Sequence, residues 1–225
     1  MTGERFDYPG EGISEEHLLP TPWQQTRLWV DQAVEHARGA TEHTEPAALS
    51  VATVDAGGRP DVRTVLMRFL DERGPGFVSS STSAKGRQLE ANAGIAAALT
   101  WVPLFRAIRF RGVAERIEDD LLADYWEQRP WASRISAHAS RQSEAATGRA
   151  ELENAFAAAA ERWPDTGEPG CVPVPEDWAG WRVRCDSVEF WGGRANRLHD
   201  RIAFERVGEG SLDDASAWRW QRLQP

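Results

Sequence analysis

Three strand-like runs, Ala48 to Val54, Val62 to Phe69 and Gly76 to Ser80, are separated only by the turn sequences DAGGRP (55–60) and DERGPG (71–76). A parallel crossover needs roughly a dozen residues or more, so these short connections favour antiparallel meander or Greek-key pairing. Further runs at Ile95 to Trp101, Phe105 to Arg116, Trp181 to Trp191, Arg201 to Val207 and Ala217 to Leu223 extend the sheet. Helices surround it. Thr21, Pro22 and Gln24 supply an N-cap, a first-turn proline and a capping-box partner; Leu28, Trp29, Ala33, Val34 and Ala37 follow at helical spacing, and Gly39 closes the helix. Lys85 to Asn92, Asp119 to Gln128 and Arg149 to Arg162 read as three more helices, and the Pro- and Gly-rich stretch 164–177 leads into the last strands. The fold class is α+β, a β-barrel core with peripheral helices.

At 225 residues the chain suits one large domain, and its net charge of −9 with no basic block argues against a nucleic-acid partner. No apolar run approaches the roughly 18 residues of a membrane span, and the start is polar and acidic, so a cytoplasmic protein is expected. Cys171 and Cys185 lack metal-ligand or framework spacing, so neither a disulfide network nor a metal site is expected. Walker, GxSxG and HExxH patterns are absent. His17, His36, His43 and His138 read as surface or structural residues.

Two places carry chemistry. Of the 26 Lys and Arg residues Lys85 is the one lysine, set in SSSTSAKG (79–86), where hydroxyls, small residues and a cation precede a helix. That is a reasonable phosphate cradle, with chance survival of the lysine as the alternative. The second is VEFWGGRANRLHDR (188–201). A Gly-Gly reversal followed by strand alternation would put Arg197, His199 and Arg201 on one face beside Trp191. Two guanidiniums flanking an imidazole suit an anion and an aromatic ring; a solvated hairpin edge is the plainer reading.

Taken in order, RTVLMR (63–68), SAKG (83–86), YWEQRPWAS (125–133), RQS (141–143), FWGGRANRLHDR (190–201) and the terminal RLQP resemble the pyridoxamine 5'-phosphate oxidase family, from about Pro46 to Pro225. The resemblance implies a six-stranded antiparallel Greek-key split β-barrel with peripheral helices, binding FMN at the interface of a homodimer whose active sites draw on both subunits. It divides the chain into an N-terminal arm and helix (1–45) and an oxidase domain (46–225). It also implies cofactor contacts from Arg63, Arg68, Ser79, Lys85, Gln142, Ser143, Trp191 and Arg201. Arg68, Tyr125, Arg129 and Ser133 would hold the substrate phosphate, and Arg197 and His199 would lie over the substrate ring in the catalytic role. Arg63 and Arg68, five apart, face opposite sides of a regular strand, so one phosphate could take both only if a bulge or strand end re-aimed one. Pro130 disfavours helix at Arg129, so Ser133 is expected from the next segment.

The implied activity is oxidation of pyridoxine or pyridoxamine 5'-phosphate to pyridoxal 5'-phosphate, with dioxygen as electron acceptor. Four positions depart from the family pattern: Arg68 for a lysine, Val78 for a tyrosine, Ala84 for an arginine and Ala107 for a glutamine. They favour an alternative, a secondary-metabolism oxidase of the phenazine-biosynthesis type acting on a reduced ring. Tyr125, Arg129 and Ser133 favour a phosphorylated substrate. A non-catalytic split-barrel binder of flavin or haem is a third reading, against which the cluster at 197–201 speaks.

Overall fold

The structure, a computed structural model, describes residues 8–41 and 44–225; His43 lies outside the described residues. Helix α1 (Pro22–Gly39) is followed by β1 (Ala48–Val54), β2 (Pro60–Leu66), β3 (Phe69–Asp71), β4 (Gly74–Ser80), α2 (Ala84–Ala91), β5 (Gly94–Trp101) and β6 (Arg106–Arg116). Then come α3 (Asp119–Gln128), α4 (Trp131–Ala139), α5 (Arg149–Arg162), β7 (Trp178–Gly192), β8 (Asp200–Arg206) and β9 (Trp218–Leu223). All strand pairs are antiparallel, in the order β2-β1-β5-β6-β7-β4-β3 with the β8–β9 hairpin branching from β7. Six strands of that path, β2, β1, β5, β6, β7 and β4, form the expected split barrel; short β3 and the C-terminal hairpin are additions to it.

The barrel is split at two points. The run from 62 to 69 is not one strand: after β2 the Met67 N–H donates to Ala47 O (2.8 Å), and the next residue, Arg68, donates instead to Gly76 O (2.8 Å) on β4. The chain thus changes neighbours within one residue and turns the corner. At β7 a single edge is shared, with β4 pairing Trp178 to Arg182 and β8 pairing Ser187 to Gly192. β7 therefore carries neighbours along its whole length, and most of its side chains on both faces are buried. Its alternating apolar residues join Leu49, Val51, Leu99, Ile108 and Phe110 in the main core, on which α1 rests through Trp29, edge-on to Phe190 at 5.4 Å. A second, smaller core, around Trp126, Ile135, Ala159 and Val172, holds α3, α4 and α5 together.

Local signals mostly act as expected, with one change at α1. Thr21 caps it, accepting from Gln24 N (3.2 Å), but the Gln24 side chain does not return the capping-box bond; it donates to Asp213 (3.0 Å), which also accepts from Thr21 Oγ1. The helix start is thereby tied to the β8–β9 connection. Helix α4 was not expected from periodicity, because nine residues are too few for a clear repeat.

The bulge at Asp186 of β7, opposite Arg111 and Gly112 of β6, lets the long β6–β7 ladder bend. A Cβ at Gly112 would overlap the Arg184 carbonyl oxygen and stand 3.0 Å from Asp186 N, both rigid backbone. Gly112→Ala is expected to destabilise the protein by about 1–3 kcal/mol, measured by urea unfolding; an unchanged midpoint would show that the bulge absorbs the methyl.

Candidate active site

The first cluster forms where β4 ends and α2 begins. Ser83 accepts from Gly86 N (3.2 Å) and starts α2, while Gly86 is required because any side chain there would meet the backbone oxygens of Ser80 and Ser81. Lys85 is thereby turned inward and is 7% exposed. Its Nζ donates to Ser79 Oγ (3.1 Å) and Gln142 Oε1 (2.6 Å), and Ser79 Oγ donates to the same Gln142 oxygen (2.6 Å). Ser143, in a left-handed conformation (φ 75°), accepts from Ala84 N (3.1 Å) and so sits at the helix N-terminus. No carboxylate pairs with Lys85 among the described residues. Burial lowers its pKa to about 8; the Arg63 charge adds to this and Asp61 opposes it. Arg63 in turn is held by Thr53 (2.6 Å), Asp61 (2.6 Å) and Gln88 (3.0 Å).

Arg68 lies at the corner after β2 and serves a different cluster. Its neighbour is Arg129, whose pKa is lowered by burial, partly restored by Tyr125 and lowered again by the Arg68 charge. Arg129 is the C-cap of α3, extended at ψ 140° as its following proline demands. Its Nη2 donates to Ser133 O (2.8 Å) across the break into α4, so Tyr125, Arg129 and Ser133 are brought together from two helices. The guanidinium lies over Trp178 at 4.7 Å and near Tyr125 at 5.9 Å. Among the described residues neither Arg68 nor Arg129 has an ion-pair partner, and Arg129 Nε is buried without a hydrogen bond. A cavity of about 300 Å³ joins the two clusters: Ser79 and Gln142 line one part of it, Arg129, Ser133 and Trp178 another, with Val78 between them.

The third group departs from the expected geometry. The Gly192–Gly193 pair does not make a tight reversal, and Arg197 and His199 do not alternate along a strand with Arg201. β7 runs to Gly192, β8 begins at Asp200, and between them lies a loop in which Asn196 (φ 59°) and Arg197 (φ 61°) are left-handed. Two successive positive φ values break the strand alternation. His199 is turned onto Trp191 (centroids 4.9 Å) and Tyr8 (5.2 Å), and its Nδ1 accepts from Arg194 N (3.1 Å), which leaves the ring proton on Nε2. Arg197 is exposed and has no ion pair among the described residues. Arg201, on β8, is bound in a fork by Glu189 (2.8 and 3.1 Å) and donates to Gln224 O (3.0 Å). Glu189 also takes Arg109, and Asp200 takes Arg194 (2.5 Å), Arg222 (2.6 Å) and the Ile13 N–H (3.0 Å). Sequence reasoning missed both acids. Period-2 spacing from Trp191 was a signal for Glu189; Asp200 had none.

The clusters stand at opposite ends of β7. Ser79 pairs with Ala179 near its start, whereas Trp191 pairs with Arg201 near its end. Twelve residues separate Ala179 from Trp191, about 40 Å of strand at ~3.3 Å per residue. The 190–201 run and the Lys85 cradle thus do not share one site within a single chain.

With this geometry in hand, known proteins are informative. Residues 36–163 match the family model described as pyridoxamine 5'-phosphate oxidase, and residues 178–225, which are β7 to β9, match the pyridoxine 5'-phosphate oxidase C-terminal dimerisation region. The chain is 39% identical over 224 residues to a pyridoxine/pyridoxamine 5'-phosphate oxidase of Kineococcus radiotolerans, covering 99% of this chain and 98% of that one. It is 44% identical over 199 residues to the protein of the same name in Rhodococcus jostii, covering 88% and 82%. Among solved structures it resembles PhzG from Burkholderia lata 383 in complex with tetrahydrophenazine-1-carboxylic acid (TM-score 0.81, 26% identity, 96% and 99% covered). An FMN-binding, pyridoxamine 5'-phosphate oxidase-related protein of Nostoc punctiforme shares the fold (TM-score 0.67, 17% identity, 93% and 99% covered). The match to a dimerisation region supports a homodimer, and among the described residues no helix is long and apolar enough to cross a membrane. Matched over most of its length by the family's own models and over nearly all of it by relatives of full length, the chain belongs to the pyridoxamine 5'-phosphate oxidase family.

Proposed function

We propose that this chain is an FMN-dependent oxidase converting pyridoxine or pyridoxamine 5'-phosphate to pyridoxal 5'-phosphate, with dioxygen taking the electrons. The observation that carries the reading is a pair of cationic groups at one cavity: Lys85 bonds Ser79 and Gln142, which line one part of it, and Arg129 lines another with the Arg68 charge nearby, none of these three cations having an ion-pair partner among the described residues. A phosphorylated flavin and a phosphorylated substrate need two such sites.

The residues fit FMN. A buried lysine without an acid, the hydroxyls of Ser79 and Ser143 and a helix N-terminus make a donor set suited to a phosphate dianion. Bound there, FMN supplies the two-electron acceptor. Lys85, Ser79, Gln142 and Ser143 hold its phosphate, with Arg63 adding positive potential behind Lys85. Arg68, Tyr125, Arg129 and Ser133 anchor the substrate phosphate. Trp191 offers a flat apolar wall, Arg201 is held by Glu189 to face the flavin, His199 presents its Nε2 proton, and Arg197 orients the substrate ring. Because the 190–201 run lies at the far end of β7, these last groups come from the second copy in a homodimer. Residues 46–225 form the oxidase domain, and 1–45 the N-terminal arm and helix that precede it.

The likeness to PhzG favours a second reading, oxidation of a reduced ring carrying a carboxylate. The Arg68–Arg129 pair beside the Lys85 cradle favours the phosphate ester over it.

The test is direct. FMN-loaded protein is expected to oxidise pyridoxine 5'-phosphate under air with release of peroxide; a yellow protein that leaves this substrate untouched and oxidises a reduced phenazine carboxylate would establish the second reading. Arg197→Leu is expected to lower kcat/KM about a hundredfold while FMN is retained. The composite site has its own signature: Lys85→Met and Arg197→Leu, each impaired alone, should regain activity when co-expressed, since one site of the mixed dimer is then intact. No recovery would mean that both residues serve from the same chain.

Lys85 also sets a pH dependence. With its pKa lowered to about 8, the free protein loses this cation as pH rises through 8. FMN affinity, read by flavin fluorescence quenching, is therefore expected to level off near pH 7, once the phosphate (second pKa about 6) is dianionic, and to fall above 8. Lys85→Met should bind more weakly and lose that dependence.

A further inference from the structure

We propose that Trp178 is a positioning residue of the anion site: its indole face aims the Arg129 guanidinium into the cavity without neutralising its charge. This rests on the reading of that cavity as the substrate-phosphate site. None of the residues suggested by the sequence included Trp178.

An arginine can be oriented by a carboxylate or by an aromatic face, and the two differ in what remains for a ligand. Arg201 shows the first way, its guanidinium forked onto Glu189 at 2.8 and 3.1 Å, its charge locally answered. Arg129 shows the second. It has no acid partner among the described residues, lies 4.7 Å over the Trp178 ring, and donates to Ser133 O at 2.8 Å, with the Tyr125 hydroxyl also favouring its charged form. The ring quadrupole attracts a cation but brings no negative charge, so the full positive charge stays on the wall of the cavity, next to that of Arg68. Two adjacent unanswered guanidiniums repel one another, and a dianionic ligand between them removes that repulsion.

Trp178 is itself fixed, as a positioning residue must be. Tyr125 lies parallel to it (8°, 6.5 Å) and Trp126 meets it edge-on (71°, 4.9 Å). Trp126 is fully buried and anchored by its Nε1 on Val172 O at 2.9 Å. The Trp178 backbone is the first rung of the β7–β4 ladder, opposite Ser80, and its N–H donates to Pro175 O at 3.0 Å. The chain of support therefore runs from the α3 core through Trp126 and Trp178 to Arg129, and through β4 to Ser79 in the neighbouring cradle. Trp178 thus touches both sites, by its ring at Arg129 and by its backbone at β4.

The experiment uses FMN-loaded Trp178→Leu and Trp178→Phe, with flavin spectrum and thermal midpoint as checks on folding. Calorimetric titration with pyridoxal 5'-phosphate gives Kd, and turnover of pyridoxine 5'-phosphate gives kcat and KM. Trp178→Leu is expected to raise Kd and KM about tenfold with kcat within about twofold, and Trp178→Phe, which keeps an aromatic face, to stay within about threefold of wild type. Folded Trp178→Leu with unchanged Kd, or equal losses in both variants, overturns the role of the ring. If the leucine variant does not fold, a cycle with Arg129→Leu decides: the loss in Trp178→Phe must vanish when Arg129 is gone, and an equal loss in both backgrounds overturns the proposal. Wild-type protein that binds no pyridoxal 5'-phosphate would instead sink the reading of the cavity, and Trp178's role with it. Wild-type binding and turnover with an unaffected leucine variant would sink the role of Trp178 alone.

Discussion

The length and pairing of β7 govern the rest of the molecule. Fifteen residues in one strand, from Trp178 to Gly192, give β6 a continuous partner on one edge and leave the other to be divided between β4 and β8. That division is what splits the barrel. It also spaces the functional side chains, because whatever stands beside β4 is held near the start of β7 and whatever stands beside β8 near its end. A shorter strand would have merged the two groups; this one separates the Lys85 cradle from the Trp191 and His199 loop and makes a second copy part of the proposed site. The dimerisation region matched in this family starts at Trp178, the first residue of that strand.

Charge is arranged with the same economy. The chain carries a net charge of −9, and most of its arginines are answered by acids: Arg182 by Asp71, Arg222 by Glu15 and Asp200, Arg201 by Glu189. Near surfaces such pairs contribute little to stability individually, but each answers a positive charge locally. Lys85, Arg68 and Arg129 stand outside that pairing: Arg129 lines the cavity with the Arg68 charge beside it, and Lys85 holds Ser79 and Gln142, which line the same cavity. Burial without an acid costs free energy at Lys85 and Arg129, visible as their lowered pKa, and a bound phosphate is what would offset it.

Much of this was legible from one-dimensional pattern. The turns at 55–60 and 71–76 are too short for anything but antiparallel connections, α1 starts at the cap its sequence offers, and β1, α3 and α5 fall in the ranges read from the sequence. Pro130 correctly separated Arg129 from Ser133, since the restriction it imposes is purely local. The failures are equally physical. The break after β2 cannot be read from RTVLMRFL, where nothing in composition marks the residue at which hydrogen bonding passes from β1 to β4. The strand expected through Arg197 and His199 is a loop because Asn196 and Arg197 adopt left-handed backbone, a conformation that pattern alone does not assign to an arginine. Glu189 and Trp178 escaped notice because each acts on an arginine distant in sequence or on another element.

Sequence by itself therefore determined the fold class, the antiparallel pairing and which residue types were present for an anion and a ring, since those follow from spacing, turn chemistry and side-chain inventory. Only the tertiary structure decided which cations are left unpaired, that Arg63 and Arg68 belong to different clusters, and that the Lys85 and Trp191 groups lie at opposite ends of one strand. Those properties depend on which acids and aromatic faces arrive from elsewhere in the chain, and long-range pairing settles that.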